Sequence, residues 1–372
     1  MFKLKFTALL LSAAFCQTLL AGDTEFLNYA KDRVASATSI ADRWDGPTEG
    51  PLAEPSKKIV FVASDLRNGG VNGVAQGVSE ASSHINWELR FIDALGSEVR
   101  QGAALRRAVA MKPDGIILGG IDIKHHREAL KVAKKLGISV VGWHSSDSTE
   151  GNEELGLFAN ITTDPMEVAE ISALLAITEG AGDMKAAIFT DRRYSIATLK
   201  ANVMKKTVEK CSRCLLIDYF DIPLDQVANH THKVVQTLIS DEQVTHLLVI
   251  NDLYIDFATP VYEQVQSKGM SIPVNISAGD GSMAAYDRIK TGQFQLATVP
   301  EPLYMQGWQV VDELNRSFNS SPPSRYTAPV HIITRENVTK LIGKSGVYEP
   351  RNNYREAYLS IWLGKSGKGE EQ

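Results

Sequence analysis

The apolar residues of this chain follow two alternating periods, and the alternation occurs twice. From Lys57 the unbroken run Ile59-Val60-Phe61-Val62-Ala63 is followed by Val71, Val74, Ala75 and Val78 at i, i+3, i+4 and i+7. An unbroken run suits a strand buried on both faces, and the second spacing is one helix face. The spacing then predicts a strand over 89–92, a helix over 98–111, a strand over 115–118, a helix over 124–136 and a strand over 138–143. After Asn160 the rhythm restarts, with helices over 165–179, 196–210, 225–240, 256–268 and 282–290 and strands over 186–189, 215–219, 246–250 and 274–278. A helix over 303–318 and a late strand over 330–333 close the series. Strands alternating with helices of this length imply parallel β-α-β crossovers. The expected fold is α/β: two tandem doubly wound parallel-sheet domains.

The ends bound the compartment and the class. Lys3 and Lys5 precede an apolar stretch from Leu9 to Leu20, and Ala21 offers a small residue for cleavage, so 1–21 reads as a signal peptide. Residues 23–44 carry helical spacing, and 45–55 form a Gly/Pro-rich spacer. The net charge of −5, with no cluster of Lys and Arg, points away from nucleic acid. Three cysteines exclude a disulfide framework.

In open parallel sheets ligands sit beyond the carboxyl ends of the strands. The turns to read are therefore Ser64, Asp65, Arg67 and Asn68 after the first strand, Gly119, Gly120 and Asp122 after the third, and Trp143 and His144 after the fourth. In the second unit they are Asp191, Arg192 and Tyr194, then Asn251, Asp252 and Tyr254, then Asp280 and Gly281. Carboxylates and amides pair with hydroxyls, Arg donates from a rigid fork, and flat rings pack on C–H faces. That set suits a small hydroxyl-rich molecule. The competing reading is helix capping, which Asp and Asn commonly perform at such turns. Capping does not account for Trp143, Tyr194 or Tyr254.

Several segments, in order and spacing, resemble periplasmic sugar-binding proteins of ABC transporters of the ribose-binding type, over about residues 57–335. They include Lys58–Ser64, Lys112-Pro113-Asp114-Gly115-Ile116-Ile117-Leu118, Gly137–Val141, Thr163-Asp164, Ile250-Asn251-Asp252, Gly279-Asp280-Gly281 and Gly292–Val299. The resemblance implies the type I periplasmic binding fold, with a ligand cleft between two domains and closure on the ligand. It implies ligand contacts from Asn251 and Asp280, and from Glu301 after the last strand. His144 and Lys200 stand where that family carries Arg, which leaves a sugar, another polyol or a similar molecule open as the ligand. The expected division is 22–56 for the N-terminal helix and linker, 57–161 plus 302–328 for the first domain, 162–301 plus 329–345 for the second, and 346–372 as an extension. Crossovers are expected near 161–163, 299–301 and 328–330. The implied role is capture of a small ligand in the periplasm for an ABC permease, as a monomer, without catalysis, cofactor or metal. The alternative is a sensing module for a histidine kinase or chemoreceptor.

Other chemistries fit less well. Asn68-Gly69-Gly70-Val71-Asn72-Gly73 approaches a dinucleotide fingerprint, with Asp93 at a fitting distance, but Asn68 stands at the first required Gly. Cys211-x-x-Cys214 ends a helix, where the dipole raises rather than lowers a thiol pKa. A structural disulfide in an oxidising compartment is expected instead. His125-His126 and His230-x-His232 lack a ligand partner at metal spacing and read as surface residues. No nucleophile elbow or Walker loop is present.

Overall fold

A computed structural model describes residues 23–39, 43–343 and 346–364. The expected signal peptide and the tail 365–372 lie outside these residues. Two parallel sheets organise the chain. The first contains β1 (Lys58–Ala63), β2 (Glu88–Asp93), β3 (Gly115–Gly119), β4 (Ser139–Trp143) and β5 (Leu157–Ile161), in the order β2-β1-β3-β4-β5. The second contains β6 (Met184–Thr190), β7 (Cys214–Asp221), β8 (His246–Val249), β9 (Val274–Ser277) and β10 (Ala297–Thr298), in the order β10-β9-β8-β6-β7. The winding is the same in both. In each, the first strand lies between the second and third, and the connections diverge there to opposite faces. That switch point is where an open sheet leaves a crevice.

β1 shows why its sequence is apolar without interruption. Ile59, Phe61 and Ala63 enter one core, packed with α2 (Gly69–His84) and α10 (Leu303–Phe318). Val60 and Val62 enter the opposite core, packed with α3 (Glu98–Ala110) and α4 (Arg127–Lys135). Each of the Ile, Val and Phe side chains contributes about 1.5–3 kcal/mol by burial. The second lobe packs α5 (Pro165–Glu179), α6 (Ser195–Val208), α7 (Val227–Ser240) and α8 (Leu253–Ser267) around its sheet, while α9 (Met283–Thr291) places Tyr286 and Ile289 in the cluster that holds Ile333, Val338 and Leu341.

The segments outside the two α/β units cover surfaces rather than span space. Helix α1 (23–38) lays Phe26, Leu27, Ala30, Val34 and Ala37 on the second lobe's core. Arg33 pairs with Glu167 of α5 at 2.8 Å. This explains why α5 is buried on nearly every face (Ile171, Leu174, Leu175 and Ile177 all under 9 % exposed): an all-round apolar helix needs a cover on its outer side. The expected spacer also packs. Asn315 of α10 donates to Pro51 O and Leu52 O, and Arg316 donates to Glu49 O. After the short α11 (Val338–Leu341), the extension adds α12 (Tyr354–Trp362), whose Trp362 ring stacks on Trp308 at 5.4 Å and donates to Asp312.

Three further differences from the sequence reading have physical reasons. β5 carries the polar Asn160 as the fourth of its five residues, which interrupts the apolar run. The late strand over 330–333 reduces to one antiparallel bridge, Ile333 to Thr298. His126 is buried, not at the surface. Cys211 and Cys214 are joined in a disulfide at the turn from α6 into β7. The chain passes between lobes after β5, after β10, and again before Ile333.

Glu313 of α10 is 1 % exposed. Oε1 accepts from Ser324, and Oε2 has no partner among the described residues. Burial pushes its carboxyl up to about 7, from an ordinary 4.5. The folded protein therefore keeps a proton that the unfolded chain has released. Stability falls as pH rises through that window, by about 1.4 kcal/mol per unit. Glu313→Gln should abolish this slope, so urea unfolding at pH 5 and pH 7.5 should show the variant gaining on the parent at the higher pH. Parallel profiles would contradict the assignment.

Candidate functional site

The carboxyl ends of both sheets open onto one cavity of about 400 Å³, within the usual range of about 300–1,000 Å³ for small-molecule sites. The turn after β1 supplies Ser64, Asp65, Arg67 and Asn68, and the turn after β3 supplies Gly120. Trp143 and His144 come from the end of β4. From the second lobe, Arg193 and Tyr194 follow β6, Ile250 and Asn251 follow β8, and Asp280 follows β9. The first turns of α6, α7 and α8 complete the wall.

A network of buried charges forms the floor. Glu301, which has no exposed surface, lies in the crossover between β10 and α10. Its Oε1 is 3.2 Å from His144 Nε2 and 3.9 Å from Lys200 Nζ. Its Oε2 accepts from Thr163 N at 3.0 Å, from the Thr163 hydroxyl, and from Gln306 Nε2. Burial alone would raise this carboxyl, but His144, Lys200 and Thr163 prevail and hold it well below the usual carboxylate range. Asp280 goes the other way. Burial raises its carboxyl, opposed by His144 and Lys200 and reinforced by Glu301 and Asp252. Asp280 accepts from Asn251 Nδ2 at 3.1 Å and lies 3.6 Å from His144 Nδ1. His144 adopts a left-handed backbone, φ 51°, immediately after β4, a conformation uncommon for residues other than Gly. Its ring stacks on Trp143 at 4.0 Å, and Trp143 donates to Gln306 at 2.7 Å. Trp143 is thus 1 % exposed and backs His144.

The cations facing the cavity are already paired. Asp65 holds Arg67 at 2.7 Å, and Asp191 and Asp225 hold Arg193 at 2.7 and 2.9 Å. Lys200 donates to Ala278 O at 2.9 Å. Burial raises the Tyr194 hydroxyl above its ordinary value and keeps it neutral.

Several expected residues do something else. Tyr254 is fully buried behind the wall, its hydroxyl donating to Ile222 O at 2.6 Å, so it forms no side of the cavity. Asp191 is buried and holds Arg193 and Leu224 N. Asp252 accepts from Gln295 at 2.7 Å and Gly281 N at 3.0 Å beneath the surface. Glu301 stands behind His144 rather than at the cavity face. Asp122 accepts from Lys124 N in its own lobe and, at 2.7 Å, from Ser195 N in the other, and so joins the lobes at the cavity's margin. His125 assists, its Nε2 3.0 Å from Arg193 O. Asn68 lines the cavity and also caps α2, accepting from Gly70 N and Val71 N. Arg192 packs over the Tyr219 ring instead, and its neighbour Arg193 takes the cavity position. Gly70 permits the lobes to close: a Cβ there would lie 2.4 Å from Asp280.

Sequence reading missed Leu224, Asp225, Leu253 and Phe257. Leu253 and Phe257 are four apart on α8 and so share a face. The four-residue spacing is the signal that could have found them.

Residues 59–319 match the family model described as periplasmic binding protein domain. The chain belongs to that family. No curated protein sequence matches it. Solved structures share the fold at low identity. A glucose-galactose binding protein, GanP, from Geobacillus stearothermophilus has a TM-score of 0.66 at 18 % identity, covering 76 % of this chain and 99 % of that one. An ABC transporter solute binding protein from Agrobacterium vitis, bound with alpha-D-tagatopyranose, has a TM-score of 0.68 at 17 % identity, covering 79 % and 99 %. Another, from Bacillus halodurans C-125 with bound myo-inositol, scores 0.66 at 16 % identity, covering 77 % and 97 %. The helix α1, the spacer and α12 lie outside the family match. Among the described residues no helix is long and apolar enough to cross a membrane.

Glu301→Gln keeps the shape but removes the closest anion of His144 and the carboxylate partner of Lys200. Breaking a buried pair costs about 3–5 kcal/mol. Because the folded carboxyl is depressed, its contribution is present above about pH 4.5 and lost as pH falls. Thermal unfolding should show the variant well below the parent at pH 7, with the gap narrowing in acid. A gap that is absent, or constant with pH, would contradict the network.

Proposed function

We propose that this chain is a periplasmic solute-binding protein that closes on a small neutral sugar, cyclitol or related polyol and presents it to an ABC permease. The observation that carries the reading is the convergence of both sheets' carboxyl ends on one cavity whose cations are internally paired. Uncommitted hydrogen-bonding capacity remains on His144, Asn251, Lys200 and Asp280. A floor of that kind pairs with hydroxyls and offers no free charge to an anion. The similar structures from Agrobacterium vitis and Bacillus halodurans, which hold alpha-D-tagatopyranose and myo-inositol, support the ligand class. Closure follows from contacts that the ligand makes to both lobes, and shifts the equilibrium by its differential affinity for the closed form. No catalytic role is proposed. The N-terminal signal directs export to the periplasm and is cleaved off, and the mature chain acts there as a monomer.

Titration calorimetry of the mature chain against neutral sugars, cyclitols and glycosides, and against sugar acids and sugar phosphates, tests this. Neutral compounds should bind and anionic ones should not. Asn251→Ala and Asp280→Ala should each weaken binding about tenfold or more, the worth of one hydrogen bond to a buried polar group. Preference for the anionic compounds, or unchanged affinity in both variants, would contradict the reading.

A further inference from the structure

The two sides of the cavity differ in chemistry. The floor and the first lobe present Ser64, Asp65, Asn68 and His144. Beside the paired Arg193 and the ring of Tyr194, the second lobe presents Ile196, Val227, Leu253 and Phe257 from the starts of α6, α7 and α8, and Leu224 from the turn before α7. The one carboxylate in that stretch, Asp225, is occupied by Arg193 at 2.9 Å. Phe257 is 40 % exposed, which places the apolar wall at the mouth rather than in the core. Its surroundings in the second lobe give it no aromatic partner among the described ring contacts.

A bare sugar carries hydroxyls around its whole rim. Enclosed here, the hydroxyls on the second-lobe side would leave water and meet Leu224, Leu253 and Phe257, which offer them nothing. A hydrocarbon group on that side would remove both its own apolar surface and that of the wall from water. Resting on the function proposed above, we infer that the ligand is a hydroxylated ring bearing an apolar substituent, such as an aryl or alkyl glycoside. The ring hydroxyls face His144, Asn251, Lys200 and Asp280. The substituent lies along Leu253 and Phe257 toward the opening.

Calorimetry with D-glucose, D-galactose and their methyl and phenyl β-glycosides reads this directly. In the better-bound sugar series, the phenyl glycoside should bind about tenfold or more tighter than the methyl glycoside, equivalent to about 1.4 kcal/mol. Phe257→Ala should bring the two within about twofold of each other, while Phe257→Leu, which keeps apolar area, should retain most of the preference. Phe257 is exposed, so neither substitution removes a core contact. Equal or weaker binding of the phenyl glycoside, or a preference that survives Phe257→Ala, overturns the inference and leaves the proposed function standing. Failure of every sugar and glycoside to bind overturns both.

Discussion

Glu301, a carboxylate with no exposed surface, ties the two halves of this molecule together at the floor of the cavity. Glu301 sits where the chain crosses from the second sheet to α10, and it is held by His144 of the first lobe, Lys200 of the second and Thr163 of another crossover. A buried charge is costly unless it is paired and hydrogen-bonded. The network therefore fixes the position of each partner, and with it the floor of the cavity. His144 is held from three sides: by Glu301, by Trp143 stacked behind it, and by Asp280 at 3.6 Å. Its left-handed backbone lets the ring turn back over the strand end.

Around that floor, the parallel sheets decide what can reach the cavity. Their carboxyl ends deliver backbone turns rich in Asp and Asn, and the helices that follow deliver their first turns. The first lobe's turns stay polar. In the second lobe the starts of α6, α7 and α8 bring apolar side chains instead, so the cavity has a polar floor and one greasy wall. The lobes meet on both margins, at Asp122 with Ser195 N and at Gly70 against Asp280. Each contact needs a small group or a lone backbone donor at one partner. Closure is thereby specified by backbone as well as by side chains.

The fold was legible because its strands obey a strict rule. β1, β3 and β4 lie inside a sheet covered on both faces, so they must be apolar throughout, and such runs are easy to see. β5 and β10 were not legible: one is interrupted by Asn160 and the other has two residues. The covering roles of α1, the spacer and α12 have no local signature. Cover is signalled by the nearly all-round burial of α5, and on α10 by polar residues such as Asp312, Asn315 and Arg316 that are buried against the added segments. At the site, the turns named the right neighbourhood but not which side chain faces inward. Arg193, held by Asp191 and Asp225, lines the cavity, while Arg192 turns to the Tyr219 ring. Capping and support claimed Asp122, Asp191 and Asp252, as the chemistry of strand-to-helix turns favours. Tyr254 follows a strand end as a cavity residue would, yet its hydroxyl is spent on Ile222 O.

The central claim is that ligand is held between the lobes, on the floor that Glu301 organises. A crystal structure of the protein purified from its own periplasm, with whatever small molecule it carries, tests this most directly. The account predicts continuous density for that molecule in the interlobe cavity, in contact with Asn251, Asp280 and His144 and touching both lobes. Density for it outside the cleft, as in the smaller cavity between α1 and Cys211, with the interlobe cavity holding only solvent, would contradict it.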